Sequence, residues 1–257
     1  MGEVVVVTSL KGGVGKTMLS ASLAYILARM GKRTLAVDMD LGTGGLDIAL
    51  GRENEVASTF LDLLNHTSAD DAIWPGEDGV YFLAAPVFFN ESSLNDVTQD
   101  AFDSALTYLK EHFDYIIFDM PAGGGAAFRY FDHSDLVDQV LLVTTAAPTS
   151  VRAAERCIMR LERQACAKLV LNGYRLTKPD ENPFGIVEII ERASTPIVGV
   201  IPFDAGAEKA LAAGRPLASF DKSRAGRALQ NVALRLNGDS VPLLFGVMKR
   251  RKRHRFY

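Results

Sequence analysis

The sequence predicts a three-layer α/β fold: a mostly parallel sheet with helices on both faces. Three observations predict it. Short runs that are apolar throughout alternate with longer stretches of helical spacing, and strands apolar on both faces belong to sheets covered on both sides. A glycine-rich loop, residues 9–17, lies between the first apolar run and the first helical stretch. Two later runs end in aspartate, at Asp38 and Asp119, and the carboxyl ends of parallel strands are where such folds bind ligands.

Taken in order, residues 4–8 form a buried strand and 16–30 a helix stopped by Gly31. Residues 34–38 are a strand and 58–64 a helix; strands 80–83 and 115–119 flank a long helix within 96–112. Strand 139–144, helix 150–163, strand 168–172, helix 185–192 and strand 197–201 continue the alternation. Helices 205–213 and 224–236 close it. Segments 178–183 and 237–242 are turn-rich loops, the second marking the junction between a body (1–238) and a tail (239–257).

Composition sets limits. A chain of 257 residues, 48% apolar and 23% charged, suits one large soluble domain. Its apolar run at 4–7 is too short for a signal-peptide core or a membrane span. Cys157 and Cys166 lack clustered histidines, which argues against a disulfide framework or zinc site and for a reducing, cytoplasmic setting. The net charge of −3 is polarised: residues 249–255 hold six of the 28 Lys and Arg, leaving 22 basic against 31 acidic residues, or −9, elsewhere. An acidic body repels nucleic acid and anionic membrane, so attraction to polyanions is confined to the tail.

The loop reads Ser9-Leu10-Lys11-Gly12-Gly13-Val14-Gly15-Lys16-Thr17. Backbone N–H groups of a tight glycine-rich turn surround phosphate oxygens, and the helix N-terminus adds its positive end. Lys16 is placed to reach β- and γ-phosphates and the Thr17 hydroxyl to ligate Mg2+. The usual signature wants glycine where Leu10 stands; a variant with an extra lysine, Lys11, fits in full.

With Lys11 in view, the sequence resembles the deviant Walker ATPases of the MinD/ParA group, nearest to its division-site members. The likeness covers KGGVGKT, AVDMDLGTGGLDIALG (36–51), DYIIFDMPAG (114–123) and VIPFD (200–204), in the family's order. It implies a P-loop ATPase that dimerises on ATP, with Lys11 crossing to the partner's phosphates. Residues 12–18 (Gly12, Gly13, Val14, Gly15, Lys16, Thr17, Met18) would bind nucleotide, and Asp40 would help position the attacking water. Asp38 and Asp119 would hold Mg2+ through its water shell, and Asn172 would contact adenine. It also implies a division-inhibitor partner and an activator of hydrolysis. Met18 and Ser22 depart from the pattern, standing where many relatives carry Thr and Asn.

The residues bear on these roles independently. Asp38 and Asp119 end neighbouring strands on the loop's rim, where Mg2+ with a triphosphate needs oxygen acceptors; a lone strand-end Asp also serves as a cap. Lys11 is either a solvated loop lysine or a charge delivered to a partner. Asn172 leads Asn-Gly-Tyr-Arg rather than Asn-Lys-x-Asp, which favours ATP over GTP, and Asn172 is either a base contact or a turn residue. His66, His112, His133 and His254 sit in unrelated contexts.

The tail begins Pro242-Leu243-Leu244-Phe245-Gly246-Val247-Met248 and runs into Lys249, Arg250 and further basic residues. On a helix, Leu243, Leu244, Val247 and Met248 share one face, and Lys249, Arg250 and Arg253 fall mostly on the other, though Arg251 intrudes on the apolar side; Phe245 is counted with the membrane-facing residues. This pattern predicts a short amphipathic helix at a membrane surface, binding weakly from one tail and well from the two of a dimer. The protein is thus expected in the cytoplasm, reversibly peripheral on the inner face of the cell membrane. The alternatives are a ParA-like DNA or cargo partitioning ATPase, or a flagellar-number regulator; the acidic body argues against nucleic acid.

Overall fold

The computed structural model describes residues 1–41, 44–53, 55, 58–64, 73, 75–76, 78–86, 97–162, 164–220 and 223–248. Among these residues, seven parallel strands form one sheet in the order β3-β2-β4-β1-β5-β6-β7. They are β1 (Glu3–Ser9), β2 (Thr34–Asp38), β3 (Val80–Leu83), β4 (Tyr115–Ala122), β5 (Gln139–Thr144), β6 (Ala167–Tyr174) and β7 (Ile197–Pro202). The helices are α1 (Lys16–Arg29), α2 (Leu46–Leu50), α3 (Phe60–Leu64), α4 (Gln99–His112), α5 (Phe128–His133), α6 (Pro148–Arg160), α7 (Ile186–Ala193), α8 (Ala207–Ala212) and α9 (Arg224–Leu236).

Alternate residues of each strand feed two separate cores. Val4 and Val6 of β1 belong to the layer under α4 and α6, while Val5 and Val7 belong to that under α1 and α9. Each valine is fully buried, worth roughly 1.5–3 kcal/mol by area, which explains why polar residues of β1 are confined to its two ends, Glu3 and Thr8–Ser9. The first core turns on Phe60, Phe102, Phe118 and Phe131, whose rings meet edge-on at 4.7–5.6 Å. With β1 central and flanked by β4 and β5, the loops after β1, β2, β4 and β6 open on one edge of the sheet.

Element limits follow local chemistry. Thr98 caps α4 by accepting from the Ala101 N–H, and Ser223 caps α9 through Gly226. Pro148 starts α6 two residues before the predicted onset, as a proline at a helix's first position can. β4 runs three residues past the predicted Asp119, because a register shift pairs Ser9 with Ala122 and lets Pro121 stay in the strand. Helices α2 and α5 are not predicted by the sequence. α2 starts at Leu46, whose N–H is taken by the distant Asp38 carboxylate, a cap that local sequence does not reveal.

The sequence predicts an amphipathic helix for the tail at a membrane surface; in the free chain its first part is not helical. Residues 243–247 form turns, with Gly246 at φ +67°. Leu243 and Leu244 pack against the core, and Val247 is 2% exposed; Phe245 and Met248 face out. Three polar side chains on one face of α9 hold this strap by its carbonyls. Arg227 donates to Gly246, Asn231 to Phe245, and Arg235 to both Val241 and Pro242. A helix here would have to withdraw Leu243, Leu244 and Val247 from the body and break those bonds. Packing therefore continues past the expected junction at 238/239, through Val247. Lys249, Arg250 and the rest of the basic run lie outside the described residues.

Candidate functional site

The loop after β1 is built around two left-handed glycines, Gly13 (φ +72°) and Gly15 (φ +94°), conformations that side chains rarely adopt. Gly15 is the N-cap of α1 and carries no side-chain cap. The first N–H groups of α1 therefore remain for an anion. A Cβ on Gly15 would overlap the Asn172 side-chain nitrogen, which donates to the Val14 carbonyl at 2.7 Å. Asn172, at the tip of β6, thus pins the floor of the loop.

Lys16 opens α1 and is only 9% exposed, while Lys11, at the outer limb, is half-buried with its backbone N–H on the Ser9 hydroxyl. The two lysines differ in commitment: Lys16 lies inside the loop, Lys11 at its margin.

The sheet aligns the aspartates as expected. Asp38 and Asp119 are register partners on β2 and β4, and both are buried. Asp119 accepts from the Ser20 hydroxyl at 2.8 Å and from Thr17. Burial pushes its carboxyl up to about 7, Asp38 adds to the rise, and Thr17, Ser20 and Lys16 oppose it. Asp38 accepts from the Asp40 N–H at 2.9 Å and the Leu46 N–H at 3.0 Å. Its carboxyl is pushed to about 6, again chiefly by burial. Asp40, partly exposed, follows directly in the loop toward α2.

Two buried carboxylates held above their ordinary range, beside one lysine, form a site short of positive charge. Thr17 supplies a hydroxyl, and no group of three or more metal-ligating side chains exists among the described residues. That donor set suits Mg2+, which keeps several waters and takes few protein ligands. The fit rests on charge as well as on position.

A cavity of about 510 Å³ runs beside the loop, lined by Gly13, Gly15, Lys16, Thr17, Met18, Gly45, Ile48 and Leu211 among others. A second, of about 300 Å³, continues past Met18 to Asn172, Pro202, Phe203, Asp204 and Leu217. Together they offer a phosphate end at the loop and a more apolar end, by Pro202, Phe203 and Leu217, suited to a base. Of the sequence-predicted residues, Gly13, Gly15, Lys16, Thr17, Met18 and Asn172 line these cavities; Asp119 joins them through its hydrogen bond from Thr17, and Asp38 lies beside Asp119 in the sheet. The tail residues lie instead along α9.

Sequence reasoning does not single out Ser20, the Leu46 N–H or Asp204. Ser20 lies one turn beyond Lys16 on a helix buried nearly all round, and a hydroxyl on such a helix is a usable signal. Asp204 accepts from the Ser223 hydroxyl and the Gly206 N–H, so it braces the base-side wall. Asn172→Ala should lower nucleotide affinity about 10-fold, the effect of losing roughly one hydrogen bond and the loop support it gives. Calorimetric titration with Mg-ADP would measure this, and unchanged affinity would show that the loop holds its shape unaided.

Residues 5–217 match the CobQ/CobB/MinD/ParA nucleotide binding domain. The chain is 34% identical over 250 residues to the septum site-determining protein MinD of Synechocystis sp., covering 95% of this chain and 92% of that one. It is also 34% identical over 254 residues to MinD of Bacillus subtilis, with the same coverage of 95% and 92%. Among solved structures, the MinC:MinD cell division protein complex of Aquifex aeolicus superposes with a TM-score of 0.82 at 29% identity, covering 94% of this chain and 98% of that one.

Proposed function

The chain belongs to the CobQ/CobB/MinD/ParA nucleotide-binding family, and on that premise we propose that it is an ATP-hydrolysing switch that dimerises on ATP, resides reversibly on the membrane and helps select the division site. The observation that carries this reading is the pairing on one loop of a committed lysine, Lys16, with a marginal one, Lys11.

The residues divide the work. Loop N–H groups and Lys16 hold the triphosphate in line. Thr17 presents a hydroxyl to the metal, and Asp38 and Asp119 present carboxylates to its water shell. Bound Mg2+ would neutralise charge on the β- and γ-oxygens. Asp40, tied through its N–H to Asp38, orients the attacking water. Lys11 supplies charge to the opposing protomer's phosphates, where such a cation acts on the transition state. Asn172, Pro202 and Phe203 enclose the base.

Among the described residues no helix is long and apolar enough to cross a membrane. Membrane residence therefore rests on the tail. Six basic residues near an anionic leaflet contribute about 6 kcal/mol at most. That suits weak binding by one tail and firm binding by the two of a dimer. The relative from Aquifex aeolicus was solved with MinC, which supports a division inhibitor as a partner of this chain, together with a protein that stimulates hydrolysis.

The test is vesicle co-sedimentation and phosphate release with anionic vesicles. It should compare the full chain with one ending at Met248, since a cut before Val241 would also strip Val247 from the core. ATP should drive the full chain onto vesicles at least about 10-fold better than ADP, and the shortened chain should stay in solution while hydrolysing ATP. Equal sedimentation with either nucleotide would refute the switch.

A further inference from the structure

A second concavity lies behind the nucleotide cavity, against the far end of α1. Its volume is about 640 Å³, and it is walled by the C-terminal turn of α1, the loop after α2 and residues 214–219. The wall it shares with the nucleotide cavity is Arg215 and Pro216. Gly51 and Gly214, both at positive φ, meet backbone to backbone in this wall, and a Cβ on Gly51 would overlap the Gly214 carbonyl.

The lining is dominated by donors. Arg52 is 5% exposed and donates to the Val80 carbonyl at 2.5 Å. Asp78 at 3.5 Å and Glu55 at 3.7 Å offset its charge. Gly76 leaves room for that guanidinium, since any Cβ there would occupy its space. The two carboxylates of the described lining thus both lie at Arg52. Arg29 and Arg215 have no carboxylate within ion-pair distance among the described residues; Arg215 lies over the Phe220 ring at 5.2 Å. The Ser219 hydroxyl at the wall is buried without a hydrogen-bond partner among the described residues. On a body whose charge is −9 outside residues 249–255, a concavity whose described lining sets three guanidiniums against two carboxylates is a reversal of sign.

We propose that this concavity is a binding site for a small phosphate-class oxyanion, held by Arg29 and Arg215 over the Arg52 floor. Guanidiniums are the side chains best matched to such oxygens. Because Arg215 and Pro216 also line the nucleotide cavity, occupancy on one side alters the wall seen from the other, and any coupling is reciprocal. The site does not depend on the membrane or on dimerisation.

The test is calorimetric titration of inorganic phosphate, with sulfate as an isostere and glycerol 3-phosphate as a headgroup analogue, into full-length protein saturated with Mg-ADP. Mg-ADP fills the α- and β-phosphate positions of the loop after β1 but leaves the γ-position, so an anion bound there is told apart by its insensitivity to the loss of Arg29 and Arg215. One equivalent should bind in the millimolar range, and Arg29→Ala with Arg215→Ala should weaken it about 10-fold or more, as loss of charge-assisted bonds requires. Both arginines are exposed, and an unchanged far-ultraviolet circular dichroism spectrum with a cooperative melting transition in the variant would verify its fold. Tighter binding of glycerol 3-phosphate than of inorganic phosphate would assign the site to a headgroup; the reverse would assign it to the free ion. Absence of binding, or equal binding by wild type and variant, would overturn the proposal.

Discussion

Lys16→Ala will reduce ATP turnover about 1,000-fold, the scale on which an enzyme loses a preorganised charge at transferring phosphate. Lys16 is buried in the loop beside Asp119, and its charge lowers that carboxyl's affinity for a proton. The substitution removes the group facing the triphosphate and leaves Asp119 with only the Thr17 and Ser20 hydroxyls. Nucleotide affinity should therefore fall together with turnover. Lys11→Ala should behave differently. Lys11 lies at the outer limb, so Mg-ADP should bind within a few-fold of wild type, while dimerisation and turnover are lost if the lysine serves the opposing protomer. Single-turnover kinetics with light scattering would separate the two. A Lys11→Ala protein that dimerises and hydrolyses normally would remove the lysine from the mechanism.

The nucleotide-free protein will lose stability as pH rises from about 4 to about 7. Asp119 and Asp38 both bind protons more tightly folded than unfolded, with carboxyls near 7 and 6. Below the unfolded value both states are protonated and this contribution is fully present. As pH rises, the unfolded chain ionises first, and the advantage is gone once the folded carboxyls ionise. The loss is of the order of a few kcal/mol, since each tenfold difference in proton affinity corresponds to about 1.4 kcal/mol and the two sites are coupled. Asp119→Asn should flatten the slope and raise the melting temperature at pH 8, while weakening Mg-ADP binding. In wild type, Mg-ADP should bind more tightly as pH rises from about 6 to about 8 and expel protons as it does so. Melting curves in chelator across pH would test the first claim, and calorimetry in buffers of different ionisation enthalpy the second. Identical slopes for wild type and Asp119→Asn would show that this carboxyl does not govern the profile.

The strands are the most legible part of the chain because burial on both faces leaves them no polar alternative. Val80–Leu83 and Gln139–Thr144 carry the expected limits, as does helix α9. The phosphate loop is equally legible, since its glycines, lysine and threonine act through neighbours in sequence. Legibility falls where a residue depends on a remote one. Asn172 reads as a turn residue or a base contact, yet its amide bonds the Val14 carbonyl, 158 positions away. The packing of the tail in the free chain is hidden for a related reason. Leu243, Leu244 and Val247 fit a helical stripe, but the same apolar side chains can serve a body that offers them a groove. Arg235, which also donates to the Val198 carbonyl of β7, decides between those outcomes, and nothing near residue 245 announces it.

The order of strands also governs how the chain can come off the ribosome. β1 emerges first but sits at the centre, with β4 from residue 115 and β5 from residue 139 as its neighbours. Until more than half the polypeptide has been synthesised, four consecutive valines have no complete sheet to enter. Such distant pairings fold slowly and leave sticky segments exposed meanwhile. A nascent chain halted before β5 should therefore engage chaperones and fail to retain nucleotide, while one extended past residue 144 should begin to do so.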